Sequence, residues 1–186
     1  LEQRKDELAH LLTLNNGKTI GEAKAEIMRQ RLLAINPELD LAVIQDFIIP
    51  EKIPALLNLA PDYCVEAIDS ITPKLFFIRL ALEAKIPFVS SMGAGGKVDP
   101  TKIEIADISK SYNCKLAQHI RKKLRKHGIR DGVKVAFSTE LPNKNSLLYT
   151  DGSNFKKSAY GTMSYLPAAF GGAIASVAIR DLMENA

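Results

Sequence analysis

The feature that most constrains the fold is a pair of short apolar runs, each of which ends at residues able to contact a ligand. Residues 63–68 (YCVEAI) lead into Asp69, and residues 86–90 (IPFVS) lead into a glycine-rich segment, SMGAGGKVDP at 91–100. Runs of this length that alternate with helical segments are typical of parallel strands in an α/β sheet. Ligands of such sheets bind outside the carboxyl ends of the strands, where a carboxylate can hold a metal bound to phosphates. The pattern therefore indicates part of a nucleotide site.

Composition limits the chain to a globular domain, alone or with one substantial insertion. Its 186 residues are 46% hydrophobic, which is ample for a core and excludes global disorder. The two cysteines, Cys64 and Cys114, form no CxxC pair and lie at no zinc-ligand spacing from a histidine. A reducing cytoplasm is the simplest setting, and we expect no membrane partner, because the uncharged stretch 163–179 is short for a bilayer and fits a buried core helix.

Periodicity and breaks divide the chain into four parts. We expect an unassigned segment at 1–20, a nucleotide-binding α/β core at 21–110, an insertion with a basic helix and a mobile loop at 111–160, and a closing strand and helix at 161–186. The predicted strands are 39–47, 63–68, 87–91, 102–108 and 133–138. The predicted helices include 1–14, 21–35, 50–59 and 73–84, and the polar stretch 142–158 is the predicted loop.

Several motifs together resemble the tRNA threonylcarbamoyladenosine dehydratases, which belong to the superfamily of ubiquitin-activating enzymes and the bacterial ThiF and MoeB adenylyltransferases. The resemblance covers about residues 20–183. It rests on GEAK at 21–24, INP at 35–37, AIDS at 67–70 with Pro73 and Lys74, SSMGAGGKVDP at 90–100, ADISK at 106–110, FSTE at 137–140 and GTMSYLPAAFG at 161–171.

This resemblance implies a fold, an activity and partners. The fold is a doubly wound, Rossmann-like, mostly parallel α/β sheet. The implied activity uses ATP with Mg²⁺ to activate the carboxylate of threonylcarbamoyladenosine in tRNA, after which the activated group cyclises. The implied partners are tRNA, a second copy in a homodimer, and a sulfur-relay protein.

The chain departs from the family pattern at its beginning. The family starts with a strand, a GxGGxG turn and an acidic residue that holds the ribose, and it places Asn-Arg-Gln shortly before the GEAK-like motif. Here that position reads HLLTL at 10–14. We therefore expect the chain to correspond to the later part of a dehydratase, with the N-terminal part of the sheet missing.

Three residues are candidates for the nucleotide site. Lys24 lies in the first turn of its predicted helix, where an ammonium can meet phosphate, although a solvated helix lysine is the alternative. The resemblance implies that Lys24 contacts ATP phosphates and that Asp69 holds magnesium near the α-phosphate, so both are assigned as catalytic. Ser70 is assigned to the nucleotide site beside them. The alternative for Asp69 is a helix N-cap, with which a ligand role can coexist.

The glycine-rich segment has two interpretations. Gly93, Gly95 and Gly96 before Lys97 are reminiscent of a phosphate loop but do not form GxxxxGK[ST]. The plainer interpretation is a tight turn from the sheet towards the substrate, and the family resemblance implies that it borders the acyl-adenylate site. Glu66, in the middle of a predicted strand, receives no role.

A basic helix at 119–130 is the strongest nucleic-acid signal. Leu116, Ile120 and Leu124 are four residues apart and predict one buried stripe, with Gly128 ending the helix. Five cations without interspersed acids are then predicted to project outward and contact RNA phosphates: Arg121, Lys122, Lys123, Arg125 and Lys126. A merely solvated face is the alternative.

Two other functions stay open on the sequence. One is an adenylyltransferase for a ubiquitin-like sulfur carrier, against which the basic helix and the lack of CxxC argue. The other is a truncated, non-catalytic paralogue, which the missing glycine-rich turn favours. Cys114, just before the basic helix, is interpreted as non-catalytic, and Cys64 as a core residue.

Overall fold

The computed structural model describes residues 21–149 and 158–184, with positions 21–27, 144, 148, 158 and 159 described by backbone alone. The helices are α1 (Gly21–Ile35), α2 (Ile53–Leu57), α3 (Ile71–Glu83), α4 (Lys115–Lys126) and α5 (Tyr165–Glu184). The strands are β1 (Cys64–Glu66), β2 (Phe88–Ser91), β3 (Ile103–Asp107), β4 (Lys134–Ser138), β5 (Leu147–Tyr149) and β6 (Ser158–Tyr160).

Four of the strands form the central sheet, in the order β1-β2-β4-β3. β1, β2 and β4 run parallel, and β3 pairs with β4 in the antiparallel direction. The register places Glu66 beside Ser90 and Ser91 beside Ala136. The antiparallel pair β5–β6 forms a separate ribbon. The mostly parallel α/β sheet that the sequence predicts is confirmed.

Helices cover both faces of the sheet, as in a doubly wound fold. On one face, α3 and α4 bury residues such as Phe77 and Ile120 against Phe137 of β4. On the other face, Phe170 of α5 packs with Val89 of β2. The alternation follows from strand geometry, because successive side chains of a strand point to opposite faces.

Helix α5 is the one described helix long and apolar enough to cross a membrane by length and composition. Its residues Leu166, Ile174 and Val177 are buried against the sheet, but much of the helix is exposed, so the prediction of a buried core helix holds for one stripe only. Its opposite side is exposed, with Ile179 at 45% and Met183 at 60%.

Two predictions about local structure are wrong. Residues 39–47 have no regular structure and are mostly exposed, because an extended segment becomes a strand only when a neighbour satisfies its backbone, and no strand pairs with it in the described part of the chain. The predicted loop at 142–158 contains β5, which pairs with β6. The predicted helix at 1–14 and the segment boundary at residue 20 lie outside the described residues.

Candidate active site at the carboxyl ends of the strands

Three segments leave the sheet at the same edge. β1 is followed by the turn that contains Asp69, β2 by the glycine-rich segment, and β4 by Thr139 and Glu140. Since β1, β2 and β4 are parallel neighbours, their carboxyl ends lie side by side. This is the edge where open α/β sheets bind ligands. The prediction that the two apolar runs are parallel strands is confirmed.

Asp69 and Ser70 form the junction between β1 and α3. Asp69 is exposed, whereas Ser70 is 4% exposed and occupies the N-cap position, with φ −85° and ψ 135°. The Ser70 side chain makes no capping hydrogen bond to the first turn of the helix. Ser70, not Asp69, takes the cap position, so Asp69 lies one residue before the cap at the sheet edge.

Lys24 lies in α1, as its sequence context predicts. The structure describes its backbone but not its side chain, so the pairing of Lys24 with Asp69 across one cleft stays a prediction.

Beneath the Asp69 turn lies a buried ionic network that the sequence analysis did not assign. Glu66 and Lys74 are completely buried and form an ion pair of 2.5 Å between Oε2 and Nζ. Lys74 Nζ also donates to Ser90 Oγ at 3.2 Å and to the Ser91 carbonyl oxygen at 2.8 Å, and Ser90 Oγ donates to Glu66 Oε2. The available signal was a carboxylate inside an otherwise apolar strand, because a buried charge requires a partner.

The glycine-rich segment is held by Tyr160 of β6 and by residues that flank the β5–β6 ribbon. Gly96 has φ +73°, and a Cβ there would lie 3.0 Å from both Pro142 and the Tyr160 ring. Its N–H donates to the Gly161 carbonyl at 2.7 Å, and its carbonyl accepts from Asn143 N–H at 2.6 Å. The segment is therefore a fixed turn, which favours the plainer of its two interpretations.

Lys97 is turned inward, towards the end of β4. It is 2% exposed, and its Nζ donates to the Ser138 carbonyl at 2.7 Å. Burial lowers the pKa of Lys97, while nearby Cys114 and Glu140 act in the opposite direction. Glu140 in turn accepts hydrogen bonds from the backbone N–H groups of Val98 and Asp99. The interpretation of Lys97 as a phosphate-loop lysine does not fit this geometry.

Helix α4 presents a cationic face that differs from the prediction at one residue. Ile120 and Leu124 are buried as expected, and Gly128 follows the helix with φ +78°. Arg121 does not project outward: it donates to the carbonyls of Ile108 and Ser111 and to the Ser111 hydroxyl, at 3.1, 2.7 and 2.6 Å. The exposed cations of the predicted set are Lys122, Lys123, Arg125 and Lys126, here called the α4 cationic face.

Both cysteines are buried thiols, without a disulfide. Burial raises the pKa of Cys64 to about 11, which suits the predicted core role. The described residues contain no group of three His, Cys, Asp or Glu side chains arranged to hold a metal.

Comparison with known proteins shows the family to which this chain belongs. The profile of the ThiF family matches residues 12–185. The tRNA threonylcarbamoyladenosine dehydratase of Escherichia coli is 32% identical in an alignment 184 positions long, which covers 90% of this chain and 69% of that protein. The Bacillus subtilis protein of the same name is 40% identical over 124 residues, covering 67% of this chain and 49% of that protein.

Solved structures of the E. coli dehydratase, TcdA, share the fold. The complex with ATP has a TM-score of 0.74 at 32% identity, covering 87% of this chain and 64% of that one. The complex with AMP has a TM-score of 0.73 and covers 65% of that chain. The chain thus spans about half to two thirds of the length of these relatives. The chain belongs to the ThiF family, and the relatives described above are named tRNA threonylcarbamoyladenosine dehydratase.

Proposed function

We propose that the protein is an ATP-dependent tRNA-modifying enzyme that adenylates the carboxylate of threonylcarbamoyladenosine in tRNA and then cyclises the activated group. The observation that carries this proposal is the exposed Asp69 at the same sheet edge as the glycine-rich segment. The identity of the proposed substrate is supported by the names of the relatives. The identity of the nucleotide is supported by the E. coli structures with ATP and AMP.

The first step is an in-line substitution at phosphorus. A carboxylate oxygen of the substrate attacks the α-phosphorus of ATP, the bond to the bridging oxygen breaks, and pyrophosphate leaves. Negative charge develops on the phosphate oxygens, and a cation beside them lowers the barrier. Lys24 is the proposed cation, and Asp69 is the proposed anchor for the metal that accompanies the triphosphate.

Magnesium fits the residues at this edge. An ion carried on nucleotide phosphates needs only one or two protein carboxylates, because phosphate oxygens and waters complete its shell. Asp69 provides one exposed carboxylate, with Ser70 beside it. When bound, the ion would neutralise charge on the phosphates.

The second step closes a ring without a covalent enzyme intermediate. The carbamoyl amide nitrogen attacks the activated carbonyl, loses its proton, and AMP leaves. The protein mainly has to hold the reacting groups close together, which is a large effect by itself. A fixed glycine-rich turn beside the site suits that task, since Gly96 is held through both its N–H and its carbonyl.

The α4 cationic face is the proposed contact for the tRNA backbone. Its four exposed side chains carry one sign of charge, and phosphate contacts give sequence-tolerant, salt-dependent affinity. Arg121 is not included in the proposed tRNA contact, because its guanidinium is hydrogen-bonded to Ile108 and Ser111.

Three further proposals concern the setting of the protein. The exposed apolar side of α5, with Ile179 and Met183, supports a homodimer, which sedimentation of the intact protein would test. A cytoplasmic location and a sulfur-relay partner are proposed from the sequence resemblance, and a fractionation and a pull-down with the relay protein would test them.

Pyrophosphate release tests the proposed reaction. The intact protein is incubated with ATP and either tRNA that carries threonylcarbamoyladenosine, tRNA without it, or a ubiquitin-like sulfur carrier. We expect release with the modified tRNA alone. Release only with the carrier would contradict the proposal, and no release with any of them would indicate a non-catalytic relative.

A further inference from the structure

The Glu66–Lys74–Ser90 network is closed on itself. An ammonium has three N–H donors, and Lys74 has three acceptors: Glu66 Oε2, Ser90 Oγ and the Ser91 carbonyl. Glu66 Oε1 accepts from the Ile68 N–H at 2.6 Å. No donor of Lys74 is left for a nucleotide, so this buried cation does not act as a phosphate ligand.

The network instead holds the backbone on both sides of the site. The Glu66 carboxylate accepts from the backbone N–H of Ile68, the residue just before Asp69. The Lys74 ammonium binds the carbonyl of Ser91, the first residue of the glycine-rich segment. One pair of side chains therefore connects the two turns at which the proposed nucleotide site is built.

Stability alone does not explain why this pair is ionic. Removing two charges from water costs several kcal/mol for each ion, and a well-packed apolar pair of similar volume is often as stable or more stable. An ionic network differs from apolar packing because its hydrogen bonds are directional and hold particular backbone atoms in place. In this structure those atoms belong to Ile68 and Ser91.

We propose that the buried Glu66–Lys74–Ser90 network is a positioning device that sets the Asp69 turn against the glycine-rich segment, so that the Asp69 carboxylate meets metal-bound phosphates. Glu66 and Lys74 are thus positioning residues, and their effect passes through Asp69. This inference rests on the proposed function. It predicts that a defect in the network weakens the gain in ATP affinity that magnesium provides, while affinity for metal-free ATP is kept.

A double substitution separates positioning from general stability. In the intact protein, Glu66→Leu with Lys74→Met replaces the ion pair by apolar side chains, and Glu66→Gln with Lys74→Met keeps an acceptor for the Ile68 N–H. ATP binding is measured by titration calorimetry with magnesium and with chelator, and the melting temperature of each variant is recorded. The ratio of the two affinities reports the magnesium enhancement.

The expected result is a loss of about tenfold in the magnesium enhancement of the Leu/Met variant, in the range for residues that orient metal ligands, and a smaller loss in the Gln/Met variant. Equal weakening with and without magnesium, or an enhancement equal to wild type, would overturn the positioning role. If the Leu/Met variant does not fold, the Gln/Met variant decides by the same criterion. Wild-type protein that binds no ATP would contradict the proposed function itself.

Discussion

Lys97 Nζ lies 2.7 Å from the carbonyl oxygen of Ser138, so the glycine-rich segment after β2 is fastened to the end of β4. Glu140 completes this connection in the reverse direction, because its carboxylate accepts from the N–H groups of Val98 and Asp99. The side chain of each segment thus binds the backbone of the other. These reciprocal hydrogen bonds fasten the turn that borders the proposed site to the end of β4.

Crowding around this turn predicts a difference between two glycines. Gly96 and Gly128 both have positive φ, at +73° and +78°, but only Gly96 is packed, since a Cβ on it would lie 3.0 Å from Pro142 and Tyr160. Gly128→Ala should cost about 1 kcal/mol of unfolding free energy from backbone strain. Gly96→Ala should cost about 1–3 kcal/mol more from overpacking. Urea unfolding of both variants measures the difference, and equal losses would contradict the described packing.

The α4 cationic face predicts a change in the salt dependence of tRNA binding. Replacing Lys122, Lys123 and Lys126 together by Gln should weaken binding and reduce the slope of log affinity against log salt by about 0.7 for each lost phosphate contact. The matched control replaces three exposed lysines outside the helix, Lys85, Lys102 and Lys134. Binding is measured by filter retention over a salt series. A slope that changes equally in both variants would leave the helix as ordinary surface.

Arg121 predicts a loss of stability rather than of RNA binding. Its guanidinium satisfies the carbonyls of Ile108 and Ser111, so Arg121→Ala should lower the unfolding free energy by about 1–3 kcal/mol. Arg125→Ala, on the same helix but exposed, should change it by less than about 0.5 kcal/mol. Chemical denaturation compares the two. An Arg121→Ala protein that keeps its stability but shows a smaller slope of log tRNA affinity against log salt would indicate that Arg121 points outward and contacts RNA phosphates.

The position of Asp69 predicts a specific loss of turnover. Asp69→Asn removes the charge that would hold the metal, and we expect pyrophosphate release to fall by about a hundredfold or more. Asp62→Asn is the control, since Asp62 is also exposed but precedes β1 at the opposite end of the strand. Comparable activity of the two variants would exclude the proposed role of Asp69. The melting temperatures of both variants are recorded, so that a loss of folding is distinguished from a loss of turnover.

Two carboxylates predict that stability falls in acid. Burial opposes ionisation of Asp107 and Asp181, but hydrogen bonds to each carboxylate outweigh this effect and lower both pKa values. Asp107 accepts from Ser109, Gly132 and Val133. Asp181 accepts from Lys134 and Tyr63. The unfolded chain then binds more protons, and the unfolding free energy should decrease as the pH falls below about 4 through the folded pKa values. Asp107→Asn and Asp181→Asn should each flatten this decrease in urea unfolding at several pH values. Asp131→Asn, at an exposed position, serves as the control, and an equally flattened profile there would contradict the assignment.

Local pattern was sufficient for the elements that border the site. The apolar runs around Cys64 and Val89 became β1 and β2, and the spacing of Ile120 and Leu124 gave the buried stripe of α4. These features depend on the periodicity of a few neighbouring residues. The same logic placed Asp69 just beyond a strand, because Asp69 directly follows the apolar run at 63–68.

The tertiary structure decided which partners the charged side chains have. It also decided that one apolar segment does not form a strand. Glu66 and Lys74 meet Ser90 because β1 pairs with β2 in one register, and Lys97 turns inward because the end of β4 offers a carbonyl. Residues 39–47 have strand-like sequence but no neighbour to pair with in the described chain. Each of these outcomes depends on atoms distant in sequence, and hydrogen bonds and ion pairs form only where the fold brings their partners together.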